Sequence, residues 1–174
     1  MRLKDVITAI NAMRRDAVIE RYAIGGAVGA TFHLEPVATL DVDVFVSFKA
    51  TPGQLTIDLR PIYDYLAARG ATVDGEYLVV AGWPVQFLPP TGPLVEEALA
   101  HAQEVSLDDE TTFVFTAEHL AAIALQTGRA KDKARLAQFV EARVLDTGRF
   151  TEILARHGLT EKWQRIEPLL LDES

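Results

Sequence analysis

A chain of 174 residues is long enough for one domain with its own core, and its 49% hydrophobic content excludes an intrinsically disordered protein. The absence of cysteine excludes disulfides, thiolate nucleophiles and cysteine-ligated metal centres. A formal net charge of −8 argues against a general nucleic-acid coat, which needs a basic face. No apolar run approaches the ~20 residues of a membrane-spanning helix, so we expect a cytoplasmic protein with no membrane contact.

Hydrophobic periodicity and turn signals predict helices and strands that alternate through the first two thirds of the chain. In chain order, the predicted elements are a helix at 3–13, a strand at 21–24 that ends in two glycines, a small-residue helix at 27–33 broken by Pro36, a strand at 40–48, a turn at 51–53, a helix at 55–66, strands at 71–73, 77–81 and 84–88, a helix from Pro93 to about Glu104, and a strand at 112–115. Only helices are predicted after it, at 117–126 behind the N-cap Thr116, at 131–144, at 150–157, and a last one to Leu171 behind the N-cap Thr160.

This order of elements predicts an α/β (α+β) fold. A mixed β-sheet flanked by helices is expected over residues 1–115, and a helical C-terminal part over residues 116–174 that packs on the core, in two domains or in one.

One combination of residues points to chemistry. A strand ends at Gly25-Gly26 and a helix starts at once, so that backbone N–H groups and the positive end of a helix dipole can meet an anion. The later strand carries Asp41 and Asp43 two residues apart, which places both carboxylates on one face about 6–7 Å apart at the backbone. A phosphate cradle beside a carboxylate pair is what metal-assisted phosphoryl or nucleotidyl transfer requires.

Each part of this combination also has an ordinary structural explanation. Two glycines at a strand end are most often only a turn, and Asp-x-Asp in a strand can belong to a solvated sheet face. A basic cluster at Arg129, Lys131, Lys133 and Arg135 can be either a solvated helix start or a phosphate-binding group. The order and spacing of the glycines and aspartates favour a functional site over these separate explanations.

Gly25-Gly26 followed by Thr39-Leu40-Asp41-Val42-Asp43 resembles the signature of the DNA-polymerase-β-like nucleotidyltransferase superfamily. The resemblance is to the small bacterial branch with AbiEii-type toxins and minimal nucleotidyltransferases. The stretch Gly128–Leu136 is similar to the helical "GR-x-KD-x-x-R" motif of that branch. The resemblance spans roughly residues 16–140 and implies a nucleotidyltransferase-type sheet with flanking helices.

The resemblance also implies an activity and its site. Family members transfer a nucleoside monophosphate from a nucleoside triphosphate (NTP) to a hydroxyl on protein, RNA or a small molecule in a Mg²⁺-dependent reaction, and some are toxins paired with an antitoxin. The implied site residues are Asp41 and Asp43 as Mg²⁺ ligands and catalytic groups, Gly25, Gly26 and Thr39 at the nucleotide phosphates, and Arg129, Lys131 and Arg135 at phosphate or base.

The third carboxylate of the family is replaced here, because the matching strand carries Gln86. An amide can offer its carbonyl oxygen to a cation but cannot take a proton from the acceptor, and loss of a general base costs about 10²–10⁴ in rate. Three outcomes remain open: Asp74 or Glu76 substitutes, the acceptor activates itself, or transfer is slow or absent. The alternative to an enzyme is a catalytically degraded relative that binds nucleotide or a partner protein. A further alternative is a structural cation at the carboxylates, without nucleotide.

Overall fold

The computed structural model describes residues 2–35, 41–50, 52–54 and 56–172. In this part of the chain the helices are α1 (Leu3–Arg15), α2 (Gly26–Ala30), α3 (Arg60–Ala67), α4 (Pro93–Ala100), α5 (Ala117–Thr127), α6 (Ala130–Glu141), α7 (Thr147–Arg156) and α8 (Thr160–Asp172). The strands are β1 (Arg21–Ile24), β2 (Val42–Ser47), β3 (Thr72–Asp74), β4 (Tyr77–Val80), β5 (Trp83–Leu88), β6 (Gln103–Leu107) and β7 (Glu110–Val114).

These strands form one mixed sheet in the order β3-β4-β5-β2-β1-β7-β6. Neighbours are antiparallel except for the pairs β2–β5 and β1–β7, which run parallel. The strand that carries Asp43 is therefore central, with β1 on one side and β5 on the other. The predicted α/β architecture with a helical C-terminal third is confirmed.

The two faces of the sheet are covered by different helices. Val42, Val44 and Val46 of β2 belong to one buried cluster with α1 and α3, whereas α4 to α7 form a second cluster with Ala23 and Phe115. Because side chains alternate along a strand, Asp43 of β2 points towards the face covered by the second group of helices. That second cluster joins strand residues to the C-terminal helices, and the division of the chain at residue 115 stays a prediction.

The corner between α5 and α6 is set by local backbone chemistry. The Thr116 hydroxyl accepts a hydrogen bond from the His119 N–H (3.1 Å), as predicted for an N-cap. Gly128 ends α5 in the left-handed conformation (φ 67°), and α6 begins two residues later. The polypeptide thus turns sharply, and the first turn of α6 lies beside the C-terminal end of α5.

The helix predicted at 55–66 begins later than expected. Residues 56–59 are not helical and α3 starts at Arg60, with Pro61 in its first turn. Proline lacks an N–H and its ring clashes with the preceding turn, so it starts a helix but does not continue one. Leu55, Pro36 and Thr39 lie outside the described residues.

The helix predicted from Pro93 to about Glu104 ends at Ala100, and the sequence patterns did not predict β6. This edge strand has three exposed polar residues and two half-buried apolar ones, Val105 and Leu107. Its pairing with β7 supplies its hydrogen bonds. Asp108 and Asp109, both with positive φ (47° and 68°), form the two-residue turn between the strands, and such a turn was the available sequence signal. In the part of the chain that the structure describes, the other predicted helices and strands begin and end close to the residues predicted for them.

No helix among the described residues combines the length and the apolar character needed to cross a bilayer.

Candidate active site

A cleft of about 530 Å³ opens between the sheet and the start of α6. The sequence-predicted residues that line it are Gly26, Asp41, Asp43, Gln86, Arg129, Lys131 and Arg135. Gly25 is buried beside the cleft, and Thr39 falls outside the described residues. Residues that are more than 100 positions apart in the chain therefore meet in one place.

Two carboxylates form the acidic wall of the cleft. Asp41 immediately precedes β2 and Asp43 lies within it, in register with Gln86 of β5. Burial raises the pKa of Asp43, and the negative charge of Asp41 raises it further, while Lys131, Arg135 and Arg129 act in the opposite direction. A bound cation would relieve the repulsion between the two carboxylates.

No group of three His, Asp or Glu side chains in the described part of the chain is arranged to enclose a metal ion. A cation at Asp41 and Asp43 would therefore complete its coordination with oxygens from a ligand or from water.

The two glycines pack the end of β1 tightly against β2. The Gly25 N–H donates to the backbone carbonyl of Asp43 (3.0 Å), and a Cβ on Gly25 would lie 2.7 Å from the Phe45 ring. Gly26 has a φ of 58°, and a Cβ there would overlap the Asp43 carboxylate. Both glycines are thus required by the packing around Asp43. Their contact with phosphate stays a prediction.

A buried carboxylate organises the basic wall. Asp132 is 2% exposed; Arg129 Nε donates to its Oδ2 (2.7 Å), and Arg135 Nη1 lies 3.8 Å from its Oδ1. This hydrogen bond raises the pKa of Arg129. Lys131 lies one helical turn before Arg135 on α6, so the two cations share a face.

The sequence left two explanations for this basic cluster, a solvated helix start and a phosphate site. Arg129, Lys131 and Arg135 line the cleft, whereas Lys133 is exposed and lies outside its lining. The geometry therefore separates Lys133 from the other three cations. The burial of Asp132 between two arginines was not predicted from the sequence.

The turn between β3 and β4 adds groups that the sequence did not identify or left undecided. Tyr77 OH donates to Asp41 Oδ2 (3.4 Å), and the negative charge of Asp41 raises the pKa of the tyrosine, which keeps it a donor. Gln86 Nε2 donates to Glu76 Oε2 (3.2 Å). Glu76 lines the cleft, whereas Asp74 is exposed on edge strand β3 and is absent from the lining. The order of strands in the sheet brings Tyr77 to Asp41. No local sequence signal indicates this contact.

The floor of the cleft is apolar. The rings of Phe45 and Phe115 pack with their centroids 4.9 Å apart, and Leu120 and Ile123 of α5 continue this surface. An apolar floor between charged walls suits a ligand with both an organic ring and charged groups.

Comparisons with known proteins bear on the fold. No protein-family model matches the sequence, and no curated protein matches it. The structure is similar to an antigenic nucleotidyltransferase-like protein from Paracoccidioides brasiliensis, with a TM-score of 0.53 and 15% identity over 96% of this chain and 92% of that chain. It also matches ANT(2")-Ia in complex with adenylyl-2"-tobramycin, with a TM-score of 0.48 and 12% identity over 97% and 96% of the two chains. The first likeness shows that the fold is nucleotidyltransferase-like.

Proposed function

We propose that this protein transfers a nucleoside monophosphate from an NTP to a hydroxyl acceptor in a Mg²⁺-dependent reaction. The observation that carries the proposal is the cleft in which Asp41 and Asp43 share one lining with Arg129, Lys131 and Arg135. A nucleoside triphosphate with its Mg²⁺ has the complementary charges, a divalent cation and a chain of phosphates. The nucleotidyltransferase-like fold supports this class of reaction.

The carboxylate pair suits Mg²⁺ in number and in type. Mg²⁺ is usually bound by one or two carboxylates together with substrate phosphates and water, and Asp41 and Asp43 are the carboxylates that would hold it. When bound, the ion neutralises phosphate oxygens and polarises the phosphoryl group. Burial, and after it the neighbouring charge of Asp41, raises the pKa of Asp43; a bound cation would favour the charged form of this carboxylate.

The basic wall is proposed to hold the phosphates. Arginine guanidinium groups bind phosphate oxygens with two parallel hydrogen bonds, and Lys131 adds a compact positive charge. Asp132 keeps Arg129 and Arg135 in place at the cleft by its contacts with both. These cations would orient the triphosphate, and the apolar floor leaves space for the base.

Gln86 favours a second candidate, a degraded relative that binds nucleotide without transfer. Its amide stands in register with Asp43, where the resemblance leads us to expect a carboxylate. One experiment separates the candidates: calorimetric titration with each of the four Mg·NTPs, followed by incubation with α-labelled NTPs and detection of labelled product. Asp41→Asn and Asp43→Asn serve as matched variants, with folding checked by thermal unfolding.

Each outcome of this experiment selects one candidate. Transfer by the wild type that both variants abolish supports the enzyme. Binding without transfer supports the degraded relative. Absence of Mg²⁺-dependent NTP binding contradicts both and favours a structural cation.

The acceptor and the biological setting follow only from the sequence resemblance. An RNA or protein acceptor, a role as a toxin and an antitoxin partner stay predictions. Induced expression in a bacterial host provides the test, because a toxic transferase arrests growth in its wild-type form and Asp43→Asn removes that arrest.

A further inference from the structure

The acidic side chains that line the cleft differ in their charge partners. Asp132 is paired with Arg129 and Arg135, and Asp41 and Asp43 form the proposed cation site. Glu76 forms no ion pair with a lysine or arginine in the part of the chain that the structure describes. Among the described residues, Glu76 is therefore the cleft carboxylate that is neither paired with a cation nor assigned to the proposed cation site.

Glu76 lies close to the proposed cation site through its neighbour in the chain and through a hydrogen bond. Glu76 lies in the tight turn between β3 and β4, and the next residue, Tyr77, donates to Asp41. Gln86 donates its amide hydrogen to Glu76 Oε2 (3.2 Å) and stands in register with Asp43. Glu76 thus contacts the residue that is in register with Asp43 and directly precedes the residue that contacts Asp41.

Glu76 is also accessible. It is exposed while lining the cleft, so it stands at the rim, where an acceptor arriving from solvent would enter. The cations Arg129, Lys131 and Arg135 come from α6 and the residue before it, whereas Glu76 comes from the β3–β4 turn. The cations and the Glu76 carboxylate therefore occupy separate parts of the cleft lining.

We propose that Glu76 is the catalytic residue that takes the proton from the acceptor hydroxyl, and that Gln86 positions it; this inference rests on the proposed function. The acceptor oxygen forms a bond to the α-phosphorus, and the bond from that phosphorus to the pyrophosphate oxygen breaks. The hydroxyl proton passes to the Glu76 carboxylate and then to solvent, and pyrophosphate leaves. The carboxylate of Glu76 accepts the proton, which the amide of Gln86 cannot do.

The hydrogen bond between the two side chains suggests a transposition experiment. Glu76→Gln should lower kcat by about 10²–10⁴, as expected for removal of a general base. The double variant Glu76→Gln with Gln86→Glu exchanges the carboxylate and the amide across the same hydrogen bond. It should recover a large part of the lost rate, because the new carboxylate lies within one hydrogen-bond length of the old one.

Calorimetric titration with Mg·NTP provides a readout that does not depend on turnover. Glu76→Gln should bind Mg·NTP as the wild type does, since the residue acts on the acceptor. Asp74→Asn is the matched control, because this carboxylate is exposed in the same hairpin but outside the cleft lining, and it should keep the wild-type rate. Thermal unfolding verifies that each variant is folded.

Two results would overturn the inference while leaving the proposed function intact. One is a wild-type rate in Glu76→Gln. The other is a loss of Mg·NTP affinity in that variant that accounts for its loss of rate, since Glu76 would then bind nucleotide. Absence of transfer by the wild type with all four NTPs would instead overturn the proposed function and this inference together.

Discussion

The carboxylate of Asp43 occupies the space that a side chain on residue 26 would need. Gly26 has a φ of 58°, and a Cβ built on it would overlap Asp43 Oδ2. The corner between β1 and α2 can approach β2 this closely only because residue 26 has no side chain. Gly26 and Asp43 therefore form one structural unit in the lining of the cleft.

Gly26→Ala should therefore damage the site and the fold together. A methyl group would displace the Asp43 carboxylate and strain the backbone, so we expect a loss of about 1–3 kcal/mol in the free energy of unfolding and weaker Mg·NTP binding. Denaturant unfolding and calorimetry measure the two effects. Gly158→Ala is the control, because Gly158 has a similar φ of 67° and a Cβ added there would meet no heavy atom within 4 Å. Equal Mg·NTP affinity in the two variants would contradict the prediction.

Asp132→Asn should weaken nucleotide binding although Asp132 is buried beneath the cations. The neutral amide loses the charged hydrogen bond to Arg129 and the attraction to Arg135, so both arginines become less ordered. We expect KM for the NTP to rise by more than kcat falls, with a loss of about 1.5–3 kcal/mol in the free energy of unfolding. Steady-state kinetics and denaturant unfolding test this. Glu141→Gln, exposed at the end of the same helix, should change neither quantity.

Lys131 and Lys133 provide a comparison within one helix. Lys131 lines the cleft and Lys133 does not. Lys131→Ala should weaken Mg·NTP binding about tenfold, equivalent to about 1.4 kcal/mol, and should reduce the salt dependence of binding, because one charge contact is lost. Lys133→Ala should leave both unchanged. Calorimetry at two salt concentrations distinguishes them, and identical behaviour of the two variants would argue against phosphate binding at this wall.

A second charged cluster ties α4 to α5 and α7 away from the cleft. Arg156 Nη2 donates to Glu97 Oε1 (2.6 Å), His157 Nε2 lies 2.6 Å from Oε2, and His119 Nε2 lies 3.1 Å from Oε1. The hydrogen bond from Arg156 contributes most to holding the pKa of Glu97 well below its ordinary value of 4.5. Burial lowers the pKa of His119.

This cluster predicts a pH-dependent stability. Because the pKa of Glu97 is lower in the folded protein, its stabilisation is complete above about 4.5 and is lost as pH falls below that value. Glu97→Gln should lower the free energy of unfolding at pH 7 by about 1.5–3 kcal/mol, and the difference from wild type should shrink in acid. Glu96→Gln, an exposed neighbour, should change little at either pH. Denaturant unfolding at pH 7 and pH 3 is the measurement, and a constant difference between wild type and Glu97→Gln would contradict the assignment.

The burial of His119 acts in the same direction. Its folded-state pKa lies below its ordinary value of 6.5, so the unfolded chain takes up this proton first and stability falls as pH drops below about 6.5. The wild-type protein should therefore lose stability in acid from both residues.

Local patterns predicted most helices and strands because the spacing of apolar residues that marks each type of element can be read from consecutive residues. The alternation of Asp41, Asp43 and Phe45 with three valines predicted that the carboxylates lie on the opposite face of β2 from the valines, and the structure confirms this alternation. Edge strand β6 was missed because only two apolar residues, Val105 and Leu107, mark its alternation. This is too short a pattern to predict a strand, and pairing with β7 determines it. The start of α3 differs from the prediction because the apolar spacing continues ahead of Pro61, whereas the proline determines where the helix begins.

The sequence by itself determined the types of residue available for the site: the glycine pair, two carboxylates on one strand face and a group of cations after Gly128. Only the tertiary structure decided which of them meet. It separated Lys133 from Lys131, placed Asp132 between two arginines, and brought Glu76 rather than Asp74 into the cleft. The physical reason is that a side chain's type and local face follow from nearby residues. Which residues from distant parts of the chain surround that side chain depends on strand order and helix packing. In this protein, strand order and helix packing join segments more than 80 residues apart.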